Sequence, residues 1–525
     1  MKKNFLKKTA CAALAAAMVL SLTACGGSKE SGSAASGTSE AAADATYKDS
    51  FVFSQQADIA TLDPADTAAI PTLDVLCGMY DSLVTFDKDM NIVPCLASEW
   101  EQEDELTYVF KLRDDVVFHN GDPMTAADVV YSIKRLAVSA KNASLMTALE
   151  DAEAVDDYTV KFTLNAPAPT FLNNLANTAA AILPQKYMEE NGEEIITTAP
   201  VGTGAYKFVE WKQGSNVTME ANENYWDGEV PTKTVMMKVI PEAAQRTIAL
   251  ETGEIDCAYG IQSNDISRID EDPSMTLYMA PALSTSFVCM NFEKAGIDNK
   301  DVREAIRLAI DPQSICDAVY YGAAEPDKTI IPFAAFGYQE DAAEIEFNPE
   351  KAKELLASAG YGNGFSTNIY TSDNQQAVEI CQIIQAQLKE VGIDCEVKTL
   401  EFGTFLDKIG EGVHDLCLMT WSTGTVDADF TYYAQYHSSQ HGIYGNMMSP
   451  DLFPGLDEKL DEARNTSDKD VRMAAYKEVE NIVAENSIYR PLVCRSSVVG
   501  TTSKVEGFEL RANDIYNFKH VKVQE

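Results

Sequence analysis

PCLASEWEQEDELTYVFKLRDDVVFHNGDPMTAADVVYSIKRL, Pro94 to Leu136, is the stretch that decides the fold. Apolar Tyr108, Phe110 and Leu112 alternate with other residues, which is the period of a half-buried strand. Phe118-His119-Asn120-Gly121 follows, and Asn-Gly after an apolar run is a turn signal. Thr125 with Asp128 three residues on has the spacing of a capping box, and Val129, Val130 and Ile133 then supply a helix's buried face. No cysteine, serine or carboxylate stands at a telling spacing from His119. The histidine therefore belongs to a turn rather than to a catalytic pair.

Working outward, the pattern alternates strands and helices, the signature of α/β architecture. Val52-Phe53-Ser54 opens a strand, and Tyr158 to Leu164 alternates until Pro167 and Pro169 stop it. Asn348-Pro349 is a cap followed by a first-turn proline, and the helix KAKELLASA ends at Gly360. Val378, Ile380, Ile383, Ile384 and Leu388 form the buried stripe of another helix that ends near Gly392. At 525 residues the chain suits two or three compact lobes.

The first 24 residues read as a lipoprotein signal peptide. Lys2, Lys3, Lys7 and Lys8 precede an apolar run, and Leu22-Thr23-Ala24-Cys25 resembles a lipobox in which Cys25 carries the lipid. Residues 25–47, rich in Gly, Ser and Ala, read as the lipidated cysteine and a flexible tether. The expected location is the outer face of a bacterial cytoplasmic membrane. The net charge of −40 argues against nucleic acid as a partner, because phosphate-backbone binding needs clustered Lys and Arg. Loss of the four signal lysines makes the remainder more negative still. The nine cysteines beyond Cys25 form no CxxC and sit among apolar neighbours, so they read as buried free thiols.

Five blocks resemble, in order, the peptide/nickel-type (family 5) solute-binding proteins of ABC importers. They are the opening stretch; Val201-Gly202-Thr203-Gly204-Ala205-Tyr206 running on to Asn224-Tyr225-Trp226-Asp227-Gly228; Arg246 to Asp256; Asp301 to Ile306 with Tyr320 and Gly322; and Asn348 to Ala352. The resemblance implies a two-lobed periplasmic-binding-protein-like fold of type II, with lobes joined by two hinge strands. It places lobe I at 48–286 plus 497–525, with the peptide-binding class's extra subdomain near 78–200, and lobe II at 287–496. It implies a monomer that captures a solute without chemistry or cofactor and delivers it to separate permease and ATPase subunits. A secreted hydrolase would need a nucleophile elbow or HExxH, and the sequence has neither. A sensor subunit on the same scaffold stays open.

Leu418 to Phe430 is the segment that speaks to the ligand. Trp421 ends an apolar run, as if a strand delivers it to a lobe edge, and a flat aromatic followed by small residues and acids suits a peptide-like ligand. In dipeptide-type relatives an aspartate a few residues after this tryptophan binds the ligand amine; the matching position here is Gly424. The segment is more similar to glutathione-type members, with Val426 in place of a glycine, as is Tyr370 to Asn374. The expected contacts are therefore Trp421, Asp427 and Asp429, with Ser372, Asp373 and Asn374 on a neighbouring loop. The expected ligand is a short peptide or peptide-like solute. His437 and His441, four residues apart, would share a face if helical. They are the candidates for the alternative, a chelated metal such as nickel.

Overall fold

Two long antiparallel strands, Met275–Met290 and Arg490–Thr502, carry the architecture of the computed structural model, which describes residues 46–525. They lie at the centre of an eleven-stranded sheet. On one side stand Leu416–Ser422, Phe365–Ser372 and Ile393–Leu400; on the other, Cys257–Tyr259, Ser50–Gln55, Thr234–Val239, Asn216–Ala221 and Tyr206–Lys212. The short strand Ala324–Pro326 pairs with Arg490–Thr502 as well.

The two halves of the sheet meet where the central pair loses register. Met275 to Pro281 pairs with Thr502 to Ser496, and pairing resumes at Thr285 opposite Cys494. Such a break is a bulge, which bends and twists the strand. Beyond it Phe287-Val288-Cys289-Met290 is buried on both faces, as expected of a strand at the centre of a covered sheet.

A separate four-stranded antiparallel sheet is built from Ala97–Asp104, Thr107–Leu112, Thr159–Leu164 and Leu149–Asp156. The opening sequence stretch thus forms two of its strands, a turn with Gly121 at φ 89°, and the helix Ala126–Ala137. Asp128 accepts from both the amide (2.8 Å) and the hydroxyl (2.9 Å) of Thr125, the reciprocal half of a capping box. The helix Pro349–Ser358 starts at Asn348, which accepts from the Lys351 amide, and Gly360 follows it at φ 90°. In the helix Gln375–Glu390, Ile380, Ile384 and Leu388 are buried, whereas Val378 and Ile383 are half-buried.

Two motif arginines hold carbonyls rather than acids. Arg246 donates to the carbonyls of Ile240, Pro241, Tyr259 and Gly260. Arg303 donates to those of Ile297, Asp298, Asn486 and Ser487, and so closes the end of the helix Lys469–Asn486. Burial pushes the Arg303 guanidinium down to about 10, and its backbone acceptors compensate the buried charge. The nine cysteines from Cys77 to Cys494 are free thiols, eight of them buried and Cys77 half-buried. The signal segment, Cys25 and the tether to residue 45 lie outside the described residues.

Candidate functional site

The register break in the central strands leaves Leu283 free of its partner strand, and the cleft is assembled on it. The Leu283 carbonyl accepts from the Thr423 amide and its amide donates to the Ala512 carbonyl, both at 2.8 Å. One residue thus ties the loop after Trp421 to the C-terminal segment. Around this point lies a cavity of about 910 Å3, within the range of sites that enclose small ligands. One wall presents Ser422, Gly424, Thr425, Phe430 and Tyr444. The facing wall draws on the helix Ile70–Met79, Tyr80 to Phe86, Lys141 to Leu145 and Ala176 to Thr178, and Arg495 and Arg511 to Asn517 close the back. Asn173 donates to the Thr425 carbonyl across 2.8 Å, linking segments 252 residues apart.

The sequence-selected residues stand behind this wall. Trp421 is buried, its indole N–H donates to the Thr431 hydroxyl (3.0 Å), and its ring packs on Phe430 and Tyr444, centroids 5.4 and 5.1 Å away. The two rings that reach the cavity are thus held by Trp421. Asp427 caps the helix Ala428–Tyr436 and takes a two-pronged bond from Arg472 (2.6 and 2.8 Å), both side chains buried. Asp429 is held likewise by Arg464 (2.8 and 2.9 Å). Both carboxylates therefore already have full charge partners. Ser372 ends a strand, Asn374 caps the helix Gln375–Glu390 by accepting from the Ala377 amide, and neither they nor Asp373 line the cavity.

The two histidines do not share a helix face. The helix stops at Tyr436, and His437 turns out of it at ψ 133°. Its Nδ1 meets the Ser439 hydroxyl (2.8 Å) and its ring stacks on Tyr433, while His441 pairs with Glu293 at 3.1 Å. Neither lines the cavity, and no cluster of three metal-binding side chains occurs among the described residues.

Two sequence blocks prove to support the cleft. Asp81 on the cavity wall accepts from Thr203 (3.1 Å) of Gly-Thr-Gly and from the Trp226 indole (2.9 Å). Burial raises its carboxyl above the usual range against these donors. A Cβ on Gly202 would lie 2.2 Å from the Met79 carbonyl oxygen, and one on Gly204 2.5 Å from that of Gly78. Glycine is required there for close packing against the end of the helix Ile70–Met79, not for phosphate. His119 bridges the same loop, its Nδ1 accepting from the Gly202 amide (3.2 Å) and its Nε2 facing the Gly204 carbonyl (3.0 Å).

Sequence reasoning missed Tyr444, Asp81, Arg495, Arg511 and Asp514. Arg495 carried a readable signal, a charge directly after the apolar run Leu492-Val493-Cys494. The others owe their place to chain returns that no local pattern encodes.

A divided sheet with a cavity at the crossing of two shared strands is the architecture of a two-lobed solute-binding protein. Residues 91–442 match the family described as bacterial extracellular solute-binding proteins, family 5 Middle, and the chain belongs to this family. A glutathione-binding protein, GsiB, of Pectobacterium atrosepticum is 29% identical over 486 residues, covering 89% of this chain and 92% of that one. The solved structure of HbpA2 from Haemophilus parasuis superposes with a TM-score of 0.84 at 28% identity, covering 91% of this chain and all of that one. The periplasmic binding protein DppA from Helicobacter pylori, in complex with the peptide STSA, gives 0.73 at 30% identity, with 91% and 98% covered.

Proposed function

We propose that this chain is the substrate-binding lipoprotein of an ABC importer, taking a short peptide or peptide-like solute into the 910 Å3 cavity and presenting it to a permease and its ATPase. The observation that carries the reading is the make-up of the cavity. Aromatic Phe430 and Tyr444 on one wall face polar Asn142, Asn177 and Asn513, with Arg511 and the Arg495–Asp514 pair at the back. Flat apolar surface with a few convergent polar groups suits a peptide unit, which carries both. Similarity to a glutathione-binding protein and to a protein solved with a bound peptide supports the same class.

In this reading the direct contacts fall to Ser422, Phe430 and Tyr444, while Trp421, Asp427 and Asp429 fix the wall that presents them. The break between Pro281 and Thr285 is the hinge about which the lobes close, and a solute that touches both walls favours the closed form. Cys25 would anchor the monomer to the outer face of the cytoplasmic membrane. The chain itself carries out no chemistry, its role ending at delivery.

Calorimetric titration of the mature protein with dipeptides, tripeptides, glutathione and a nickel–histidine complex tests this. Peptide binding with a negative heat-capacity change is expected. Binding of the nickel complex alone would refute it.

A further inference from the structure

The charged groups of the cleft are unevenly matched. Two carboxylates and three basic side chains line it. Asp514 is occupied by Arg495 (2.8 Å) on one oxygen and by the Tyr516 hydroxyl (3.0 Å) on the other. Asp81 is held by Thr203 and Trp226, with the Tyr225 hydroxyl 3.5 Å away. Lys141 reaches the Asp66 carbonyl (3.0 Å) and carboxylate (3.4 Å). Arg511 differs. Its side chain is only 16% exposed, its Nε has no hydrogen-bond partner, and the nearest carboxylate, on Glu509, is 3.9 Å from Nη2.

A guanidinium keeps its charge and offers five donors in a fixed fork, so leaving it largely buried and unmatched is costly. A carboxylate is the group that fits the fork, by two parallel bonds. The setting strengthens the point: a chain of net charge −40 repels anions at long range, and only a local cation makes an anionic ligand acceptable.

On the wall after Trp421 a peptide's ammonium end finds no counterpart, and the carboxylate of Asp81 opposite is engaged by Thr203 and the Trp226 indole. Ser422, Gly424, Thr425, Phe430 and Tyr444 are all uncharged. Gly424 has ordinary backbone geometry, and a Cβ there would meet nothing within 4 Å, so the position faces open space. The two features belong to one site, because Thr423 and Ala512, their chain neighbours, both bond to Leu283.

We infer that the cleft holds its solute by an anionic end, a carboxylate docked on Arg511, and makes no demand for a free ammonium group. The solute class is a short peptide or acylated amino acid with a free carboxylate, whose amino end is free or blocked. This rests on the peptide reading above and names the group that reading leaves unspecified.

The test is calorimetry of the mature protein with trialanine, its C-terminal amide and its N-acetyl form. Amidation is expected to weaken binding about tenfold or more, the worth of a charge-assisted hydrogen bond, and N-acetylation less than about threefold. Arg511→Gln should bind the acid and the amide equally, with its fold checked by thermal melting. Gly424→Asp, which has room for its side chain, should leave Arg511 in place and create a preference of about tenfold for the free amine over the N-acetyl form. If the amide binds as well as the acid while acetylation abolishes binding, the inference is overturned and the peptide reading stands. If none of the three peptides nor glutathione binds, both are overturned.

Discussion

Asn173 and Thr425 meet across the mouth of the cleft, the side-chain amide of one donating to the backbone carbonyl of the other at 2.8 Å. Because the acceptor is main chain, no substitution at Thr425 removes the contact, and Asn173 alone controls it. Asn173→Ala should lower the melting temperature only slightly, since a single part-buried hydrogen bond is lost. It should weaken solute binding by about 0.5–1.5 kcal/mol, the net worth of one hydrogen bond, mostly through faster release. Stopped-flow fluorescence with a bound tripeptide would read the release rate.

The Arg472–Asp427 pair makes the opposite prediction. Both side chains are buried, and Asp427 also caps the helix that carries Phe430. Removing one partner leaves an uncompensated charge, so Arg472→Leu or Asp427→Ala should each cost about 3–5 kcal/mol in urea unfolding. The double variant should lose less than the sum of the two, because neither charge is then stranded.

Two groups, the half-buried His119 and the buried Glu480, contribute to the pH dependence of stability with opposite signs. Burial holds His119 at about 4, below its unfolded value of about 6.5. Its contribution is complete above pH 6.5 and is lost as pH falls toward 4, up to about 3 kcal/mol. Burial raises Glu480 to about 7, with the Tyr432 hydroxyl donating to it at 2.5 Å and Arg307 opposing the shift. That contribution is complete near pH 4 and is lost as pH rises through 7. Urea midpoints measured from pH 4 to 8 should therefore fall less steeply on the acid side in His119→Gln. In Glu480→Gln they should fall less on the neutral side.

Gly202 has no room for even one methyl group, its notional Cβ lying 2.2 Å from the Met79 carbonyl oxygen. Gly202→Ala must displace main chain and disturb the His119 bridge and the Thr203–Asp81 bond. A loss above about 3 kcal/mol is expected in thermal or urea unfolding, beyond the usual cost of overpacking. Gly424→Ala, with open space around it, should change stability by less than about 0.5 kcal/mol.

The fold was legible because its signals are local. The Thr125–Asp128 spacing, the Asn348-Pro349 start, the Asn120-Gly121 turn and the apolar run before Trp421 each set one element, and each element formed. The cleft was legible only to its neighbourhood. Trp421, Asp427 and Asp429 flank the loop that borders the cavity, yet a one-residue step along a strand end decides whether a side chain faces the cavity or the core. Trp421 faces inward and Ser422 outward. Charge alone could not say that Arg472 and Arg464, 45 and 35 residues on, would claim the two aspartates. His437 and His441 would share a face only on a helix, and the chain leaves the helix at His437. Arg511 was invisible, since its place depends on the tail returning to Leu283.

The central claim, capture of a peptide-like solute in this cleft, is tested most directly by native mass spectrometry of the protein titrated with a mixed pool of di- and tripeptides, glutathione and nickel–histidine. The account predicts a single adduct of peptide mass, lost in Phe430→Ala combined with Tyr444→Ala and retained in His437→Ala. An adduct formed only by the nickel complex, or a peptide adduct indifferent to Phe430 and Tyr444, would contradict it.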